Sequence, residues 1–325
     1  MKLPRRQFLH LAAGAAALPA LPRNARAQAY PSRPVRLIVP IGAGGATDIF
    51  ARLIGQWLSE RLGQPFIIEN RPGGGGNIGT EAVVRAPSDG HTLLMAGAFN
   101  AINATLYEKL KFNFVRDIVP VASVVQGGLA VVVNQSVPAN TLPAFIAYAK
   151  LNPGKISFGS TGIGSSNHLA SELFNMMAGV SMVHVPYRSA APALTDLLSG
   201  QVQVMFASIV TSIEYVRTGK LRALAVTPVA RSDALPEIPT VNEFVPGYEA
   251  STWYGIVAPK STSVEIVGRL NAEINAGLAD SKIKAQLAQT GGAPMPMTSN
   301  EFGNLIAAET EKWGKVIRTG KIKPE

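Results

Sequence analysis

Between Val35 and Gly63 the chain sets out a pattern that recurs further along. Val35-Arg-Leu-Ile-Val39 is a short apolar run that ends at a glycine turn, Gly42-Ala-Gly-Gly45, as a buried strand would. The period then changes. Phe50, Leu53, Ile54, Trp57 and Leu58 fall on one helical face, and Gly63 followed by Pro65 stops the helix. Ile67-Ile68 leads in the same way to Gly73-Gly-Gly-Gly76-Asn-Ile-Gly79. Ile156-Ser-Phe158 leads to Gly159-Ser-Thr-Gly-Ile-Gly-Ser165, ahead of a helix with Leu169, Leu173, Met176 and Met177 aligned. A glycine turn that opens onto a helix leaves backbone N–H groups without intrahelical partners at the positive end of the helix dipole. Such a place holds an anion without lysine or arginine. Three of these turns point to a protein built around a small acid.

The rest of the chain alternates strands and helices. Strands are predicted at His91–Met95, with a connection at Ala96-Gly-Ala-Phe-Asn100, and at Leu129–Val133, Val183–Val185, Val202–Phe206, Leu221–Val226 and Trp253–Val257. Helices are predicted from Thr141 to Asn152, Pro192 to Ser199, Val264 to Leu278, and onward from Thr298-Ser-Asn-Glu301, which has capping-box spacing. This alternation predicts an α/β fold with parallel or mixed sheets flanked by helices. The extended runs near Val131 and Ile256 suit a chain that crosses to a second lobe once and returns once. That gives a discontinuous first lobe, 30–127 plus 253–325, and a continuous second lobe, 128–252. Glycine turns at the strand ends of both lobes then face a shared cleft.

Residues 1–29 are set apart. Arg5-Arg6-Gln-Phe8-Leu9, the small-residue apolar stretch Leu11–Leu21, and the Ala25-Arg-Ala27 and Ala27-Gln-Ala29 sites predict a cleaved export signal of twin-arginine type. A general secretory signal is the alternative. The apolar stretch is short of the ~20 residues a membrane span needs, so a soluble, exported and periplasmic mature chain is expected, cleaved near Ala27 or Ala29. Removing Lys2, Arg5, Arg6, Arg23 and Arg26 lowers the formal charge from +9 to +4. No Lys/Arg run remains to suggest nucleic acid. There is no cysteine, hence no disulfide framework or thiolate metal site.

The chemistry is mostly negative. The dinucleotide fingerprint fails, because Thr47 and Asn167 stand where its third glycine belongs. No P-loop and no Gly-x-Ser-x-Gly nucleophile elbow occurs. His91, His168 and His184 lack zinc spacing, so no metal or cofactor is predicted. Ser165 and Ser166 read as helix caps with His168 in the first turn. His184, between Val183 and Val185, reads as a buried, satisfied histidine. Asp48 favours the helix dipole, and can also order the glycine loop or meet a polar ligand group. Thr161, Ser165 and Asn167 are short polar groups suited to a carboxylate or its bridging waters. Arg188 suits a structural ion pair or a ligand contact.

Taken in order, several motifs resemble the substrate receptors of tripartite tricarboxylate transporters, the Bug-type solute-binding proteins. They are Val39-Pro-Ile-Gly-Ala-Gly-Gly-Ala-Thr-Asp48, Glu69-Asn-Arg-Pro-Gly-Gly-Gly-Gly-Asn-Ile-Gly79, Gly159–Ser165 with His168-Leu169, His184-Val-Pro-Tyr-Arg188, Ala190–Leu198, Leu221–Thr227 and Pro239-Thr-Val241. The resemblance implies a two-lobed Venus-flytrap fold that closes on a small carboxylate and delivers it to membrane permease subunits. It implies first-lobe contacts from Ile41, Gly44, Gly45, Asp48, Gly75, Gly76 and Asn77. Second-lobe contacts would come from Ser160, Thr161, Gly162, Gly164, Ser165, Asn167 and Ala207. Departures are Ile41, where the family has an aromatic, Ala43 in place of a nearby proline, and Gln203 and Ala207 in place of aspartates. The missing acid at 207 argues against an amino-acid ligand and for a bulkier apolar acid. The competing readings are an exported small-acid enzyme and a liganded receptor that signals to a membrane sensor.

Overall fold

The computed structural model describes residues 30–320 and 322–324, so the export signal predicted at 1–29 lies outside the described residues. In chain order the first elements are β1 (Val35–Val39), α1 (Ala46–Leu62), β2 (Phe66–Asn70), α2 (Asn77–Val84), β3 (Thr92–Gly97), α3 (Ala98–Leu106) and β4 (Ile118–Gly127). Next come β5 (Leu129–Asn134), α4 (Leu142–Leu151), β6 (Ser157–Ser160), α5 (Ser166–Ala178), β7 (Val183–Pro186), α6 (Ala190–Ser199), β8 (Val204–Ser208), α7 (Ile209–Arg217) and β9 (Leu221–Val226). The chain ends with β10 (Thr252–Pro259), α8 (Val264–Ala279), α9 (Ser281–Gln289), β11 (Gly292–Pro294) and α10 (Ser299–Gly320).

The strands form two mixed sheets, in the orders β11-β4-β10-β3-β1-β2 and β7-β6-β8-β5-β9. The pairs among β1, β2 and β3, and among β6, β7 and β8, are parallel; β4, β5 and β10 run antiparallel to their neighbours. Local signals account for the ends of several helices. Gly63 ends α1 in the left-handed region, Ser165 caps α5 through the His168 N–H, and Glu301 and Thr298 bond each other's backbone at the start of α10.

Several segments differ from the pattern-based expectation: α7, α9 and β11 are elements it does not include, and three others differ for identifiable reasons. Ala98-Phe99-Asn100 starts α3 rather than a loop, with Asn100 Oδ1 accepting the Gly97 N–H at 3.0 Å. α3 is buried from Ala98 to Asn103, Asn100 and Asn103 included, so no solvent-exposed polar face sets it apart. β4 was unmarked because it is apolar on both faces and broken by Pro120. β8 starts two residues later than predicted, since Gln203 is spent bonding the Ser157 N–H.

Each predicted crossing run starts directly after a crossing. β4 ends at Gly127 in the first sheet and β5 begins at Leu129 in the second; β10 begins at Thr252 back in the first. Thr227, fully buried, ties both crossings together. Its N–H donates to Leu129 O at 2.9 Å and its Oγ1 accepts the Leu129 N–H at 3.1 Å. The same Oγ1 donates to Ala250 O at 2.8 Å, while Thr227 O accepts the Ala250 N–H at 3.2 Å. Packing adds a second bridge. Trp313 and Ile317 of α10, with Ile102 and Leu106 of α3, join the core that holds Phe158, Phe174 and Phe206 beneath the second sheet.

Thr227→Val keeps the shape but leaves the Leu129 N–H and Ala250 O without that hydroxyl. It is expected to cost about 1–3 kcal/mol of unfolding free energy, read by chemical denaturation.

Candidate functional site

At the ends of the parallel strands, helix starts from both sheets converge on one small cavity of 60 Å³. By water-sized volume this is room for roughly four or five waters, the scale of a carboxylate head. Gly45, Ala46 and Thr47 enter it from the start of α1, and Ser165, Ser166 and Asn167 from the start of α5. Phe99 of α3, Ala190 of α6, and Ser208 and Thr211 at the start of α7 complete much of the wall. No Asp, Glu, Lys, Arg or His lines it among the described residues.

The amides of Ala46, Thr47, Ser166 and Asn167 have no hydrogen-bond acceptor among the described residues. Each helix start carries roughly half a positive charge, so two facing ones supply about one, the complement of a single carboxylate. A second cavity of 590 Å³ adjoins the first, sharing Ile41, Gly42, Phe99, Thr161 and Ser165 with it. Gly73–Gly76 form one side and Tyr187-Arg-Ser189 another. Gly75 sits at a close approach of the two halves. A Cβ there would lie 3.0 Å from Tyr107 Oη and 3.1 Å from Ile163 O, and its φ of +65° suits glycine.

The residues singled out from sequence divide into walls and supports. Ile41, Gly45, Thr161, Ser165 and Asn167 line the small cavity; Gly75, Gly76 and Gly162 line the larger one. The other six line neither. Gly44 gives its N–H to Asp48 Oδ2 at 3.0 Å, so that amide is not free for an anion. Asp48 also accepts from Arg52 at 3.0 Å and Asn70 at 3.1 Å, and is therefore the brace of the first glycine turn. Burial alone would raise its pKa; Arg52, the Gly44 amide and Asn70 outweigh that and hold it below the usual carboxylate range.

The second turn is braced by imidazoles. Gly164 donates its N–H to His168 Nδ1 at 3.3 Å, and Gly162 to Ser160 Oγ at 3.1 Å. Ser160 Oγ in turn lies 2.6 Å from His184 Nε2, and the two imidazoles stack with centroids 4.0 Å apart. Burial, and for His168 the neighbouring His184 charge as well, lowers His168 to about 3; burial lowers His184 to about 4. Both rings are neutral near pH 7. Asn77 Oδ1 accepts from Asn103 at 3.3 Å. Ala207 corrects the expectation that position 207 faces the cleft: it is fully buried in the core with Ala130, Val132 and Leu197. Strand alternation puts Ser208, one residue on, at the cavity instead. Thr47, Phe99, Ser208, Thr211 and Tyr254 also line it and were not singled out; strand-end position before a helix would have marked Ser208.

With this geometry in place, the likenesses to known proteins become specific. Residues 50–322 match the family described as Tripartite tricarboxylate transporter family receptor. The chain belongs to that family. It is 36% identical over 295 residues to Protein BugT of Bordetella pertussis, covering 90% of each chain. Among solved structures it is similar to R. palustris Rpa4515 with adipate, at 35% identity and a TM-score of 0.88, covering 91% of this chain and 100% of that one. It is also similar to MatC from Rhodopseudomonas palustris with bound malate, at 31% identity and a TM-score of 0.84, covering 89% and 100%. These tripartite tricarboxylate transporter receptors are two-lobed periplasmic solute-binding proteins, not enzymes, and among the described residues no helix is long and apolar enough to cross a membrane.

The histidine braces set an acid limit. Both folded-state pKa values lie below the unfolded value of about 6.5, so the unfolded chain takes up protons first as pH falls. Stability is expected to decline from just below neutrality down to about pH 3, where His168 as well as His184 has taken up its proton, read as a falling Tm. His184→Gln, which retains an acceptor for Ser160, should flatten that decline.

Proposed function

We propose that this chain is a periplasmic receptor that captures a small carboxylate between its two lobes and delivers it to the membrane permease subunits of a tripartite transporter. The observation that carries this reading is the cation-free cavity where unpartnered amides of α1 and α5 face each other from different sheets. A carboxylate oxygen meeting such amides gains charge-assisted hydrogen bonds, and removes the cost of leaving buried donors unmade, about 1–3 kcal/mol each. The adipate in Rpa4515 and the malate in MatC support the same ligand class.

The site divides into contacts and braces. Gly45, Thr161, Ser165 and Asn167 meet the acid together with Ala46, Thr47 and Ser166, while Ile41, Gly75, Gly76 and Gly162 shape the cleft. Gly44, Asp48, Asn77, Ser160 and Gly164 hold the turns, and Ala207 packs the core behind them. No turnover is proposed. Asp48, His168 and His184, the carboxylate and imidazoles of the glycine turns, are each engaged by backbone or serine groups and line neither cavity. The first lobe comprises 30–127 and 253–325 and the second 128–252, with the end of α10 strapping the two together. The preceding residues 1–29 direct export by the twin-arginine route.

Gly45→Asp tests the amide site. Gly45 is the extended N-cap of α1, with φ of −83°, and the nearest atom to a Cβ there is 3.7 Å away. An aspartate fits this position and caps the helix, raising stability by a few tenths of a kcal/mol at roughly the N-cap scale. Its carboxylate would occupy the same amides a ligand needs. The expected result is an unchanged or higher Tm without ligand and loss of the Tm rise that a carboxylate panel gives the unmodified protein. A variant that still binds acids at full affinity would count against the site.

A further inference from the structure

Tyr107 stands where three cavities meet. It lines the 590 Å³ chamber beside the carboxylate pocket, and also two outer cavities of 390 Å³ and 790 Å³ past the end of α3. Among the described residues it alone lines the chamber together with either outer cavity. Its place is held from both ends. The Tyr107 N–H donates to Asn103 O at 3.1 Å, closing the last turn of α3. At the other end Oη lies 3.5 Å from Ile163 O. A Cβ on Gly75 would come 3.0 Å from the same hydroxyl, and one on Gly164 would come 3.5 Å from Tyr107 Cε2. The ring is thus packed against glycine turns from both halves.

The near end of the chamber is marked by Phe99, which lines both it and the carboxylate pocket. Phe99 is the second residue of α3 and Tyr107 directly follows its last, so the two are about 12 Å apart along the helix axis. Past Tyr107, the 790 Å³ cavity has Leu106, Leu110, Ile317 and Ile322 in its wall, apolar groups suited to more of an aliphatic chain. A packed ring between two cavities excludes by its volume, because a chain atom cannot share its space.

We propose that Tyr107 is the end wall of the chamber and sets the length of acid that this receptor accepts. The carboxylate sits on the amides of α1 and α5, the chain runs beside α3, and the Tyr107 ring stops it short of the outer cavities. This rests on the acid-binding reading above.

Calorimetric titration of the intact protein with straight-chain acids, from succinate to sebacate and the monoacids of matching length, tests it. The unmodified protein should bind best at one chain length and lose affinity beyond it. Tyr107→Ala joins the chamber to the outer cavities, so its optimum should move to longer acids. Each methylene newly buried is worth about fourfold, so an acid two methylenes past the original optimum should bind Tyr107→Ala about 10-fold more tightly than it binds the unmodified protein. Tyr107→Phe keeps the ring and should keep the optimum, which separates the wall from the hydroxyl. Tyr107→Leu, a smaller truncation, should give a shorter shift and serves if alanine prevents folding. An unmodified protein whose affinity never falls with length, or an optimum unchanged in the truncated variants, would overturn the wall while leaving the acid pocket standing. An equal shift in Tyr107→Phe would overturn it too. Absence of binding or melting shift with every acid would overturn the pocket itself. Gly45→Asp separates the two, because it should remove acids of every length alike.

Discussion

Four backbone amides with no acceptor among the described residues, at the starts of α1 and α5, are the constraint around which the cleft is arranged. A helix start exposed to solvent gives such groups to water at no great cost. Enclosed between two sheets, in a space of a few water volumes, they favour an anion strongly. The rest of the site follows from keeping them in place and free of protein acceptors. Asp48 takes the Gly44 amide and His168 takes the Gly164 amide, so the glycine turns before α1 and α5 are each fixed by a side chain on the helix that follows. Those braces also explain why an acid and two imidazoles sit beside an anion pocket without lining it: the acid is paired to Arg52, and the imidazoles are neutral by burial.

The two halves are joined in three ways, and each has a different mechanical meaning. Thr227 clamps the outgoing and returning crossings at one point, which suits a pivot with small displacement. The end of α10 lies across to the second core through Trp313 and Ile317, a larger apolar contact. The glycine turns supply the third set of contacts. Tyr107 Oη lies 3.5 Å from Ile163 O, and Gly42 faces Ser189 across the gap.

Much of this was legible from residue order alone. The strand, glycine turn and helix of Val35–Gly63 could be read because a buried strand, a φ-permissive turn and an amphipathic helix each leave a distinct local pattern. Gly45, Thr161, Ser165 and Asn167 could be named because a helix start after a strand is recognisable without knowing what faces it. Elements buried on all sides left no such trace. The polar residues of α3, Asn100 and Asn103, are buried and bonded internally rather than turned to solvent, and β4 is apolar throughout much of its length, so neither stood out as an amphipathic element.

Sequence by itself determined which backbone segments carry free donors, since helix caps and glycine turns are decided within a few residues. It also determined that no cation needed to be part of the near pocket. Only the tertiary structure decided which of those donors face one another and which are consumed, because that depends on how two sheets are set across a pair of crossings. The case of position 207 shows the reason. Ala207, opposite Ala130 of β5, points into the core with Val132 and Leu197, and the next residue, Ser208, points to the cavity. Side-chain direction in a strand alternates residue by residue, and its register is fixed by partners distant in the chain.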